Sequence, residues 1–157
     1  MKERSRPAAR SARPLWPCPR CGRRFANQNQ THSCGPPVAL SAHFAGRDPS
    51  VYQLFRALLA LVRRCGPVTV LPEKTRIAFA TRMSFLAVAP RQMHMIGHFV
   101  FARRVASPRF QKIETISPRN HVHHFCLERE DELDSEFASW VREAYDVGMQ
   151  KHLEGDR

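Results

Sequence analysis

The chain has 157 residues and a mass of 18.0 kDa, room for one ordinary domain and a small appendage. Its 43% hydrophobic and 9% aromatic content supports a modest core and excludes wholesale disorder, and no run approaches 18 consecutive apolar residues, which excludes a membrane-spanning helix. The net charge of +11 is uneven: residues 1–47 carry nine Lys/Arg against Glu3 alone, a net of +8, and residues 48–157 carry +3.

Residues 1–15 are rich in Arg, Pro, Ala and Ser, with no apolar periodicity. They predict a disordered basic arm. No apolar core of a secretory signal is present, so the expected address is cytoplasmic. There, five cysteines favour metal ligation or free thiols over disulfides. A basic arm before a nearly balanced domain points to a polyanionic partner, nucleic acid first. Arg4, Arg6, Arg10 and Arg13 of the arm, with Arg23 and Arg24 just beyond it, are the candidate phosphate contacts.

Residues 16–46 hold the densest chemistry. Cys18-Pro19-Arg20-Cys21-Gly22 and His32-Ser33-Cys34 place four zinc-type ligands within 17 residues. A Cys-x2-Cys pair reaches one ion from a tight turn, and Gly22 lets the backbone fold back so that amides point at the sulfurs. His32 and Cys34, two apart in an extended segment, project to the same side. Ten or so intervening residues are too few for a hairpin plus a helix, so a knuckle or very short ribbon is expected. Cys18-x2-Cys21-x3-Phe25 imitates the start of a Cys2His2 finger, but the early His32 and the single residue before Cys34 remove the base-reading helix. Four protein ligands leave no open position, so the expected zinc is structural rather than catalytic. Arg20, Arg23 and Arg24 can neutralise the thiolates as well as grip phosphate. The alternatives are a loop of free thiols, or a site in which His43 or Cys65 replaces a ligand. Gly35-Pro36-Pro37 then marks a linker.

Residues 47–153 predict the main domain. Asp48 caps a helix that opens on Pro49 and repeats Val51, Leu54, Phe55, Leu58, Leu59, Leu61 and Val62 at helical spacing through Cys65. Gly66-Pro67 ends it. Short strand-like stretches follow at 68–71, 76–81, 84–89, 94–102, 110–116 and 121–128, punctuated by Pro72, Pro90, Pro108 and Pro118. A last helix begins in the acidic run 130–134 and buries Leu133, Phe137, Trp140, Val141, Ala144 and Tyr145. Helix, four to six antiparallel strands, then helix is an α+β layout, with both helices expected on one sheet face.

Histidines recur on the strands. His94 and His98 are expected to share a face, and His121 and His123 another with His124 opposite. If these converge with Lys74 and Arg76 they form an anion-binding surface, and a small hydrolase or phosphoesterase becomes conceivable. No carboxylate pair, phosphate loop or nucleophile motif supports it. Solvated or hydrogen-bonded strand histidines are the plainer account, and Cys65 and Cys126 read as small core residues.

The run from Trp16 to Cys34, with His43-Phe44-Ala45-Gly46, Gly66-Pro67-Val68, the Ile77-Ala78-Phe79 strand and the acidic run leading to Trp140 and Ala144-Tyr145, resembles an uncharacterised bacterial family. Its α/β part is a domain of unknown function. The resemblance covers most of residues 16–150; it implies a small α/β domain carrying an N-terminal zinc knuckle and supplies no activity. The expected function is a non-enzymatic binding module for nucleic acid or a nucleoprotein. The other readings are an enzyme acting on an anionic substrate and a protein–protein adaptor.

Overall fold

The structure is a computed structural model and describes residues 13–30, 32, 34 and 38–153. Arg4, Arg6, Arg10 and the expected linker at 35–37 lie outside the described residues. A two-stranded ribbon pairs β1 (Trp16–Pro17) with β2 (Arg24–Phe25). A short 3-10 turn, Leu40–His43, leads into α1 (Pro49–Arg63). Six strands follow: β3 (Thr69–Pro72), β4 (Ile77–Ala80), β5 (Ser84–Pro90), β6 (Met95–Phe101), β7 (Lys112–Ser117) and β8 (Asn120–Leu127). After a 3-10 turn at Glu130–Glu132, α2 (Ser135–Gly148) closes the fold, with a last 3-10 turn at Lys151–Leu153. The class is α+β, as the sequence predicts.

The capping chemistry decides where each helix starts. Asp48 Oδ1 accepts from the Ser50 amide at 2.9 Å, and Pro49 fills the first helical position. Asp134 accepts from the Phe137 amide at 2.9 Å. The last helix therefore starts at Ser135 and not inside the acidic run: Glu132 Oε1 turns back to the amides of Glu128 and Arg129 and closes a separate turn. The first helix stops at Arg63, so Cys65 lies just past its end and not within it. There Gly66, at φ +146°, passes so close to α2 that a Cβ would sit 2.5 Å from Tyr145 Oη. That hydroxyl donates to the Pro67 carbonyl at 2.8 Å, tying the chain after α1 to α2.

The main sheet runs β3-β4-β5-β6-β8-β7, antiparallel throughout. Pro72 and Pro90 sit inside it, as the last residues of β3 and β5, positions where a missing N–H is tolerated. Both helices lie on one face. Their stripes (Leu54, Phe55, Leu58 and Val62; Phe137, Val141 and Ala144) join Phe79, Leu86, Phe99, Phe101 and Phe125 in one core. Phe99 centres it, with ring centroids 4.8 Å from Phe125, 5.1 Å from Phe137 and 5.3 Å from Phe101. A register shift opposite Phe79 and Ala80 inserts Phe85 as an extra residue in β5. Neighbours Phe85 and Leu86 are consequently both buried, which simple alternation forbids.

The cross-strand register sets the opposite face, where Ala78, Ala87, His98, His124 and Lys112 form one row. Ala78 and Ala87 are buried and the histidines half-buried. Two polar contacts join the ribbon segment to this sheet. Arg23 pairs with Glu73 at 3.6 Å in the β3–β4 turn, and Arg82 of the β4–β5 turn donates to the Arg13 carbonyl.

Candidate metal centre

The ribbon exists to bring two short ligand pairs together. Cys18 and Cys21 flank a turn in which the Gly22 amide donates to the Cys18 carbonyl at 2.8 Å and the Cys18 amide to Arg23 at 2.7 Å. Gly22 takes φ +73°, the left-handed region where glycine carries no Cβ penalty. Phe25 is the module's core residue, 6.3 Å from the Trp16 ring and 4.1 Å from His32, so its packing orients the imidazole.

The four ligand atoms all lie within 4.8 Å of one another. Cys18 and Cys34 sulfurs are 3.7 Å apart; His32 Nε2 is 3.3 Å from Cys21 Sγ and 3.1 Å from Cys34 Sγ. Two sulfurs bound at about 2.3 Å to one tetrahedral ion stand roughly 3.8 Å apart. The observed spacing therefore fits a metal. His32 Nδ1 is 2.6 Å from the Gln30 carbonyl, which accepts its proton and leaves the Nε2 lone pair turned to the sulfurs. Burial raises the Cys18 thiol, but amides of Cys21 and Arg20 and the neighbouring thiols outweigh it and bring it down to about 6. Cys34 is pushed up to about 11 by burial and by the thiols of Cys18 and Cys21. Four cysteine and histidine donors at this spacing can hold a metal ion. His43 and Cys65, the alternative ligands, are not part of the cluster.

The arginines expected to touch phosphate are not equivalent. Arg23 is held by Glu73 and lies 5.1 Å from the Phe25 ring centroid, while Arg24 and Arg20 are exposed. Arg13 is exposed, with its carbonyl bonded by Arg82.

The strand histidines do not converge. His98 belongs to the face away from the helices, directly across from His124 at a ring separation of 5.7 Å. His121 and His123 point the other way. His123 is fully buried, accepting from the Val105 amide at 2.8 Å and donating to the His121 carbonyl at 3.0 Å. His121 is held between the Thr115 hydroxyl and the Pro118 carbonyl. His94 sits in the turn before β6, and Arg76 pairs with Glu73. The anion surface drawn from Lys74, Arg76, His94, His98, His121 and His123 is thus split across two faces, because strand parity separates residues the sequence places near each other. The register instead brings His124 to Glu114, Nε2 to Oε2 at 2.8 Å, a pair that residue types alone could not reveal. Bonds to Lys112 and His124 hold the Glu114 carboxyl down at about 2. Burial, then Arg76 and His124, hold His98 down at about 4.

A cleft of about 320 Å³ opens beside α2, lined by Arg109, Cys126, Glu128, Glu132, Phe137 and Trp140. Arg109 in that lining pairs with Asp134 at 2.9 Å and Glu136 at 3.3 Å, and lies 5.3–5.6 Å from the Trp140 and Phe137 ring centroids. Its charge is already neutralised, so the cleft offers an anion no free cation. Burial raises the Cys126 thiol, which leaves it a poor nucleophile. No helix of the described residues is long and apolar enough to cross a membrane.

No curated protein and no solved structure matches the chain. A family model does match, over residues 40–148, from the 3-10 turn before α1 to the end of α2, and leaves the four ligand residues outside it. The α+β architecture described above is accordingly that of the family called domain of unknown function DUF5655, to which this chain belongs.

Proposed function

We propose that Cys18, Cys21, His32 and Cys34 hold a structural zinc ion, and that the metal-held ribbon with its basic flank is a non-enzymatic module for binding nucleic acid. The observation that carries the metal is the mutual approach of three sulfurs and one tautomer-fixed imidazole nitrogen within 4.8 Å. Soft thiolates with one imidazole select zinc over magnesium or calcium. With all four positions taken by protein, the ion organises the ribbon and leaves no position for a reacting water. Three thiolates, one neutral imidazole and the +2 ion sum to −1, which Arg20 and Arg24, unlike the Glu73-paired Arg23, are free to offset. The nucleic-acid half of the reading draws on the net +8 of residues 1–47 and the exposure of Arg13 and Arg24. Association through phosphates weakens steeply with salt. Metal analysis of the purified protein should give one zinc per chain, and anisotropy with labelled oligonucleotides at low and high salt, before and after chelation, should show binding that salt abolishes. Absence of zinc sinks the metal assignment; no anisotropy change at low salt sinks the nucleic-acid assignment.

A further inference from the structure

The helices share a direction. α1 begins beside the β5–β6 turn, where the Asp48 amide donates to the Gln92 carbonyl. It ends at the start of β3, where Tyr145 reaches Pro67. α2 begins at Asp134 and ends by the β4–β5 turn, where the Met83 amide donates to the Gly148 carbonyl. Both N-termini therefore lie at one end of the domain and both C-termini at the other. Net charge differs between the two ends. At the N-terminal end the acidic run 128–136, Asp48 and Glu73 are largely offset by Arg47, Lys74, Arg76, Arg91, Arg109 and Arg129. The C-terminal end holds Arg63 and Arg64 at the close of α1, Arg82 in the β4–β5 turn, Arg104 after β6, and Arg142 on α2. Its acids, Glu143 and Asp146, are matched by Arg103 at 2.8 Å and Lys151 at 3.3 Å. Among the described residues Arg63, Arg64 and Arg142 are exposed and form no ion pair, while Arg82 and Arg104 bond only neutral groups, Gln150, Thr115 and the Arg13 carbonyl. The helix dipole favours cations at a helix C-terminus and accounts for part of this, but not for Arg82 or Arg104 in turns.

We infer that this end of the DUF5655 domain is a docking surface for the phosphate backbone of duplex nucleic acid. The inference rests on the proposed nucleic-acid function and adds a second surface, outside the metal module, and a strand state. Arginine is the cation that meets phosphate oxygens bidentately. Single strands need exposed aromatic platforms, and the domain's exposed aromatic, Tyr52, is on the first turn of α1 at the opposite end. What remains is charge without stacking, which suits a backbone and carries no base readout. Arg13, whose carbonyl Arg82 holds, lies at this same end. Ile116, Met149 and Leu153 are also exposed here, so an anionic bilayer is the competitor to separate.

The test uses the full chain and a labelled duplex of about 20 base pairs, titrated at several salt concentrations. Replacing Arg63, Arg64 and Arg142 together by Ala should weaken binding at low salt by about tenfold or more and cut the slope of log K against log salt by about 2–3. The matched Lys triple should keep most of the slope. A control pair at the other end, Arg91→Ala with Arg129→Ala, should bind like the parent. If the parent binds and the Ala triple matches it while Arg23→Ala/Arg24→Ala loses binding, the inference falls and the proposed function stands. If the Ala triple loses binding and the Arg23/Arg24 variant does not, the inference holds and the module is not the interface. No duplex binding by the parent overturns the inference and leaves the proposed function standing if a labelled single strand still binds; binding to neither, or only to phosphatidylserine-containing vesicles, overturns both.

Discussion

A single hydrogen bond decides the role of His32. With Nδ1–H held by the Gln30 carbonyl, only Nε2 can face the thiols, so the ring is set up to serve as a ligand in the proposed zinc site. If the proposed zinc is held there, Cys21→Ser or Cys34→Ser should cost it, measured by metal content after dialysis, whereas Cys65→Ala should retain it. Retention in both ligand variants would mean that the cluster is no metal centre. His98 makes a separate point about protons. Its ordinary value is 6.5 and its folded value is about 4, so between those pH values the unfolded chain binds a proton that the folded chain does not. Stability is then complete above about pH 6.5 and is lost as pH falls toward 4. His98→Asn should flatten the fall in Tm between pH 7 and pH 5. An unchanged fall would assign it to other groups, His123 first, since burial lowers that ring in the same direction.

Elements were legible wherever a local signal names them. Asp48-Pro49 gives the helix start, the 3.6-residue stripe gives its buried face, and every predicted strand has a counterpart within two residues. The misses are non-local. The bulge that buries both Phe85 and Leu86 depends on which residue of β4 faces which of β5. The parity that separates His98 from His121 and His123 was readable, but the pairing of His124 with Glu114 depends on β7 lying outside β8. Two substitutions probe this scale by urea denaturation. Asp48→Ala should cost about 1 kcal/mol, the worth of an N-cap. Gly97→Ala should cost about 1–3 kcal/mol, because its Cβ would lie 2.6 Å from the Ala87 carbonyl oxygen in the neighbouring strand, which cannot retreat without breaking the ladder. A Gly97→Ala protein as stable as the parent would show that the β5–β6 spacing is looser than described.

At the scale of the molecule, the metal module and the family domain are joined through Arg23–Glu73 and the Arg82–Arg13 contact. One is a half-buried ion pair 3.6 Å long and the other a hydrogen bond to a carbonyl, contacts that contribute about 1 kcal/mol each. Chelation should therefore melt the ribbon while the domain keeps its main unfolding transition within a few degrees, read by calorimetry with and without metal. A large fall in that transition would mean the two fold as one unit. The candidate site was legible in full because its four ligands fall within one short segment. The cationic end was not, since Arg63, Arg82, Arg104 and Arg142 come to one end of the domain only after the sheet and both helices have formed. That gathering of positive charge at one end also bears on encounter. Like a compass needle, a body whose excess charge lies toward one end turns in the field of a polyanion before they touch. Fewer collisions are then wasted on the wrong orientation, and the benefit lies in the rate of association, fading once the Debye length falls below the span of the molecule.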